Sequence, residues 1–439
     1  MDHAKEIQYL LRRYDPGSRS LVMQPAFYWF TDRACLGIQD RRIIRSDSAD
    51  CGHGVLLGCL RVEVVQEVNG MDSSMMNTLL SKTKGDHPVD MARDEEREFV
   101  DQLCKAVIGA GITSDSLDVI NFYITLKSKP LVILAGPNGI GKIALVEQLA
   151  NVLKTGNRGA HMDISNVHLM LGHPWWAEKS DNLAVFTDAH MRFNTDKLLF
   201  VLNEAWRPEN ARRLFIVCLT RISPAELIDY FCELATQVSK GVVTHLGDHY
   251  FETPFPFPSN LRLIGTMDTL DYRWWDEELL SQAIVIPWIG CGKPINMSGE
   301  RSSFSGESII LDSSVRDRQD IYQKIHSVLN GYRQPLLPLL EIESMLMHYG
   351  IQYHKSSFEN AIAYIANSWS RNGMGIFTPS TLQNLAISLD MVISQVILPQ
   401  FSTAIRYFSD LRKSLFATLT PQYPRSTGLV RLLAAEANG

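Results

Sequence analysis

An α/β fold built on a parallel sheet and followed by a helical domain is predicted by three observations in this 439-residue chain. The run LVILAGPNGIGKI, Leu131 to Ile143, reads as an apolar strand that breaks into a glycine-rich turn and continues as the helix KIALVEQLANVLK. Downstream of it, short apolar runs alternate with helical periodicity, the pattern of parallel strands joined by crossover helices. Past residue 318 only helical periodicity remains.

The elements follow in order. Residues 1–85 carry short β-type runs, LVMQPAFYWF and VLLGCLRVEVV, broken by Gly, Ser and Asp clusters, and predict a small mixed or β-rich module. Acidic and basic residues nearly balance there, so its charge makes no case for nucleic acid. Arg41, Arg42 and Arg45 are its one tight basic cluster and read as a solvated face. Cys51, His53 and Cys59, with Cys35 upstream, match no standard zinc spacing, and no metal site is assigned. From Asp94 the pattern changes: Phe99, Val100, Leu103 and Val107 share one helical face, and Gly109 to Gly111 ends that helix. SDSLDVINFYITLK predicts a second helix, and the strand at Leu131 follows. Further strands are expected at His161 to Ile164, Leu214 to Leu219, Leu261 to Thr266 and Ala283 to Trp288, with helices across DKLLFVLNEAW and PAELIDYFCELATQVSK and a hairpin at GVVTHLGDHYFETP. The α/β core is thus placed at 94–290. Residues 292–318, rich in Ser and Gly, are expected to be a linker or surface excursion. A helical domain, 319–439, contains IYQKIHSVLNGY, SSFENAIAYIANSW, PSTLQNLAISLDMVISQVILP and STAIRYFSDLRKSLFATL.

Composition sets bounds on class. Charged residues at 21% and apolar residues at 45% are ordinary globular values, and a net charge of −6 argues against a polyanion-binding tail. The N-terminal MDHAKEIQYLLRRYD has no apolar secretory core, and no run suggests a bilayer span, so a cytoplasmic protein with no membrane partner is expected. Cys104, Cys218, Cys232 and Cys291 complete seven cysteines without paired CxxC spacing, which fits reduced thiols.

The chemistry centres on the turn. Gly136, Pro137, Asn138, Gly139, Ile140, Gly141 and Lys142 satisfy G-x-x-x-x-G-K, in which glycines let backbone N–H groups converge on a phosphate and the lysine reaches the outer phosphates. The helix behind the turn adds its N-terminal partial charge. Ile143, however, occupies the position of the hydroxyl that would help to ligate Mg²⁺.

Three strings resemble the AAA+ ATPases of the McrB-like type, the motor subunits of modification-dependent restriction systems. They are NFYITLKSKPLVILAGPNGIGKIALVEQLA, PFPFPSNLRLIGTMDTLD and SLDMVISQVILPQF. The resemblance spans residues 94–290 and about 310–430. It implies a P-loop NTPase AAA+ core with a C-terminal helical lid, ATP or GTP as ligand, and a homo- or hetero-oligomeric ring, with a nuclease subunit as a possible partner and DNA reached through partners or the N-terminal module. It also implies altered catalysis. In LFIVCLTRISPAEL, Val217 and Cys218 stand where the family's acidic pair belongs. Asp268 stands where an Asn is expected, beside a matching Asp271, and Ser281 and Gln282 replace an Asp-Arg pair whose arginine would act on a neighbour's nucleotide. A second placement of the acidic strand, LLFVLNEAW with Asn203 and Glu204, is also open, though its composition favours a helix. His173 to Trp176, HPWW, resembles a family segment and reads as indole packing. The joint losses predict a nucleotide-binding ring subunit of weak or absent hydrolysis, with Mg²⁺ unassigned. Two other functions fit the resemblance: an active Mg²⁺-dependent NTPase motor, and a DNA-recognition protein using the core as a scaffold.

Overall fold

The computed structural model describes residues 94–112, 115–155, 167–171, 198–222, 236–237, 240–246, 249–268, 277–288, 306–329, 336–351, 355–420 and 422–436. They belong to one compact unit, Asp94–Gly439, separate from Met1–Arg93. The N-terminal module, with its arginine cluster and candidate zinc residues, therefore lies outside the described residues. So do HPWW, Asp271, the strand expected at His161 to Ile164, and most of the helix expected at PAELIDYFCELATQVSK.

Helix α1, Glu95–Gly109, starts at Asp94, whose carboxylate accepts the backbone N–H groups of Glu96 (3.1 Å) and Arg97 (3.2 Å). Its buried face holds Phe99, Val100, Leu103 and Val107, as the spacing predicts. Helix α2, Ser116–Ser128, is buried continuously from Val119 onward, so its apolar residues are not confined to one face and its few polar ones need buried partners. Strand β1, Leu131–Ala135, is buried along its whole length and leads into the loop and helix α3, Lys142–Thr155.

Strands β2 (Val167–Leu171), β3 (Phe215–Thr220), β6 (Leu261–Met267) and β7 (Ile284–Pro287) join β1 in a five-stranded sheet of order β2-β3-β6-β1-β7, every neighbouring pair parallel. β1 is flanked by β6 and β7, and the chain leaves it toward one edge and returns to finish on the other side. The carboxyl end of β1 is thus a topological switch point, where open α/β sheets bind ligands. Strands β4 (Val242–Leu246) and β5 (His249–Pro256) form the expected hairpin.

Helix α4, Glu277–Gln282, precedes β7. The supposed linker contains helix α5, Gly306–Ser313, which packs on α1 and α3 with Ile310 fully buried. Its Gly306 lets the backbones close in: a Cβ there would meet Phe99 Cε2 at 2.3 Å. This corrects the expectation of a linker across 292–318 for its described part; three adjacent apolar residues, Ile309 to Leu311, mark the helix, too short a run to show a period.

The remaining helices are α6 (Arg318–Val328), α7 (Leu337–His348), α8 (Lys355–Asn367), α9 (Thr381–Val392), α10 (Ser402–Tyr407), α11 (Ser409–Leu419) and α12 (Pro424–Glu436). α9 runs into a π-helical turn, Ile393–Ile397, and a 3₁₀ turn, Leu398–Phe401. Where one helix is expected from Ser402 to Leu419, two form, because Phe408 takes an extended conformation between them. The stretch Thr381–Tyr407 is long and apolar enough to cross a membrane, but its most apolar window is 83% buried within this fold.

Buried polar contacts fasten the helices to the sheet side of the unit. Lys127 on α2 is 0% exposed and pairs with Glu96 on α1 at 2.5 Å, while donating to the Asn367 carbonyl (3.1 Å) at the end of α8. Glu96 also accepts from the Tyr123 hydroxyl (3.0 Å) and the Arg371 backbone N–H (3.0 Å), so the buried pair is fully hydrogen-bonded. Deeper in, Asn121 and Gln395 exchange two amide hydrogen bonds of 3.0 Å, and the Tyr364 hydroxyl donates to Asn121 at 2.6 Å. Asp390, in the string SLDMVISQVILPQF, caps α12 by accepting from Arg425 N–H (3.0 Å) and Ser426 N–H (2.8 Å).

Candidate functional site

The loop from Gly136 to Lys142 sits at the carboxyl end of β1, held from three directions. The Gly136 N–H donates to the Met267 carbonyl (3.2 Å), closing it onto β6. Trp288, just past β7, donates its backbone N–H to Ala135 O (2.7 Å) and its indole N–H to Ile140 O (3.1 Å). Ile112, after α1, packs on Gly141 so closely that a Cβ there would lie 2.8 Å from Ile112 Cγ2.

These contacts make the glycines necessary. A Cβ on Gly136 would lie 1.9 Å from the Trp288 carbonyl oxygen, and Gly139 and Gly141 take φ of 80° and 87°. Pro137, Asn138 and Gly139 form the exposed crown, whereas Ile140, Gly141 and Ile143 are half-buried. The helix opens at Lys142, so its first N–H groups, which lack intrahelical acceptors, arise at the loop's end.

Lys142 is folded into this cradle. Its side chain is 5% exposed, and Nζ donates to the carbonyls of Gly136 and Pro137, both at 2.7 Å, and pairs with Asp268 Oδ1 at 3.3 Å. Burial pushes the ammonium below the ordinary lysine value; the Asp268 carboxylate opposes that shift and the charge of Arg221 adds to it. Asp268, 40% exposed, stands at the exit of β6, where Met267 pairs with Ala135.

Of the positions singled out in the sequence, Gly136, Gly141, Lys142 and Asp268 come together. Val217 and Cys218 do not reach the loop. Both are fully buried in β3, paired with Leu263 and Ile264, which lie level with Leu131 and Val132 at the start of β1. Burial, with the charge of Glu147, pushes the Cys218 thiol up to about 12, so it persists as a packed thiol.

β3 reaches the mouth at its last residue, Thr220, which Arg221 follows. Arg221 N–H donates to Thr266 Oγ1 (2.9 Å), and Ile222 N–H donates to the Thr266 carbonyl (2.8 Å). Arg221 has φ of 56°, the one non-glycine residue with positive φ among those described, and its side chain is exposed. Nothing in the sequence marks Arg221, because its conformation has no residue-type signature. Trp288 was likewise missed as a loop clamp, although a tryptophan ending an apolar strand was a visible signal.

The second placement of an acidic pair is overturned. Residues 198–206 are helical, and Glu204 is tied to Arg207 (3.1 Å) and Asn210 (3.5 Å). Ser281 and Gln282 close α4 beside α8, where the Ser281 carbonyl accepts from Asn360 (2.7 Å).

The mouth thus offers two cations, Lys142 and Arg221, one carboxylate, Asp268, and a glycine-shaped cradle at a helix N-terminus. That set can hold a phosphate group. The strand ends described around it supply no carboxylate beyond Asp268 with which to bind a metal or polarise a water, and Asp268 is engaged with Lys142. No protein-family model matches this chain, and no curated protein matches it.

Proposed function

We propose that this chain binds the phosphates of ATP or GTP at Gly136–Ile143 with weak or no hydrolysis, and serves as a structural or regulatory subunit of a ring-type AAA+ assembly of the McrB-like kind. The observation that carries the binding half is the cradle itself: a glycine turn that no Cβ could enter at Gly136, at the carboxyl end of the central strand, with Lys142 buried at its base. Weak hydrolysis is supported by what surrounds the cradle. Ile143 gives a metal no oxygen, and Val217 and Cys218 are buried well below the loop. Loss of such groups commonly removes several powers of ten in rate. The assembly half, and with it a role in restriction, rests on the resemblance of the three strings.

The test is a hydrolysis assay on the purified full chain with ATP and GTP, beside equilibrium binding of the same nucleotides with Mg²⁺ and with a chelator. Binding that survives chelation, with negligible turnover, is expected. Turnover that disappears in Lys142→Ala would overturn the non-catalytic reading. Absence of binding under both conditions would overturn the reading altogether.

A further inference from the structure

Lys142 carries its own counterion. Asp268 Oδ1 lies 3.3 Å from Nζ, and the parallel register of β6 against β1 holds Asp268 at that point of the mouth. A phosphate oxygen accepting from Nζ would sit about 2.8 Å from it and so within about 6 Å of the Asp268 carboxylate. Like charges that close repel, and the half-buried mouth weakens screening by water.

The two ends of a nucleotide's phosphate chain would meet different surroundings here. The inner phosphates would rest against the loop and the start of α3, whose backbone donors do not depend on Lys142. An outermost third phosphate would depend on Lys142, which is already neutralised by Asp268 and committed to Gly136 O and Pro137 O. Ile143 brings no metal to offset the added charge. Arg221 is exposed at the neighbouring strand end, where water screens its charge more than that of the buried Lys142.

We propose that Asp268 makes the cradle selective for nucleoside diphosphates over triphosphates, by occupying with its carboxylate the surroundings of Lys142 that a third phosphate would need. The proposal rests on the nucleotide-binding reading above and goes beyond it by naming the ligand's phosphate count.

Titration of the full chain with fluorescent adenine and guanine di- and triphosphates, in chelator and in Mg²⁺, tests it. The wild type is expected to bind the diphosphate at least about tenfold more tightly, and Asp268→Asn to bring the ratio close to one by tightening the triphosphate. Equal affinities in the wild type, or a ratio unchanged in Asp268→Asn, would overturn the selectivity while leaving nucleotide binding intact. Failure of both nucleotides to bind the wild type would overturn the binding reading and the selectivity together. Loss of both in a folded Asp268→Asn, with folding checked by circular dichroism, would show that the carboxylate positions Lys142 and would also overturn the proposal. Asp268→Ser repeats the comparison if the asparagine variant does not fold.

Discussion

Alanine substitution of the three loop glycines is expected to give a graded series whose order follows from the contacts each new Cβ would meet. At Gly139 nothing lies within 4 Å, so only the φ of 80° matters, and Gly139→Ala should cost about 1–2 kcal/mol of backbone strain. At Gly141 the φ is 87° and Ile112 Cγ2 would stand at 2.8 Å; a side-chain methyl can move, and strain plus local overpacking puts the cost at about 2–4 kcal/mol. At Gly136 the obstacle is the Trp288 carbonyl oxygen at 1.9 Å, with its carbon at 2.9 Å. Trp288 follows β7 directly and its N–H is bonded to Ala135 O, so the Trp288 carbonyl cannot move away alone and β7 and the loop must separate by more than 1 Å or so. That breaks the hydrogen bond from Trp288 N–H to Ala135 and the indole bond to Ile140. Two lost bonds at about 1 kcal/mol each, added to the steric cost, make Gly136→Ala the most damaging of the three, at about 4 kcal/mol or more. Urea denaturation of the three variants, followed by tryptophan fluorescence, measures the order. A Gly136→Ala protein as stable as Gly139→Ala would refute the close approach of Trp288 on which the site's geometry depends.

Lys127→Met should cost about 3–5 kcal/mol by leaving Glu96 buried and unpaired, while adding Glu96→Gln should restore much of it; chemical denaturation of both variants checks the cycle. Lys324, which donates to the Trp369 carbonyl at 2.8 Å, has its ammonium lowered to about 7 chiefly by burial, with the charge of Lys127 adding to the shift. Its folded value lies below the unfolded one, so its charging opposes folding: the penalty is absent above the unfolded pKa, grows as pH falls toward 7 and is full below that. The rise in stability between pH 7 and about 10 should accordingly flatten in Lys324→Met, as denaturation midpoints at several pH values would show. Arg221→Gly should relieve the positive φ and leave stability unchanged or raised by up to about 1 kcal/mol, while weakening phosphate binding; a parallel loss of stability and binding would argue that Arg221 is only structural.

The loop and its flanking elements were legible because their signals are local. An unbroken apolar strand, glycines where φ must be positive and a lysine opening an amphipathic helix all fall between Leu131 and Thr155. The positions of the strands near Leu214, Leu261 and Ala283 followed from alternation, whereas their order in the sheet had no signal in the sequence. Contacts made at long range were not legible: Ile140 and Trp288 are 148 positions apart, and the partners of Glu96 come from α2 and from residue 371. The apolar run LFIVCL marked β3 as a strand, but only its pairing with β6 shows that Val217 and Cys218 lie at the level of the start of β1. The break at Phe408 escaped because apolar spacing continues across it and no Gly or Pro marks the extended residue.

The buried couplings from α1 and α2 to the segments after α8 and α9 bear on how a bound ligand could be sensed. Swinging the C-terminal helices away from the sheet would part Lys127 from the Asn367 carbonyl, Glu96 from the Arg371 N–H, and Asn121 from both Gln395 and Tyr364, all of them contacts of buried groups on α1 and α2. Such a motion is mechanically stiff, because each step exposes a charge or amide before anything compensates it. What remains pliant is the exposed crown Pro137–Gly139 and the rim residues Arg221 and Asp268. Occupancy would thus register as a change in the rim's shape and charge, presented to whatever lies against it, with the body behind acting as a strut.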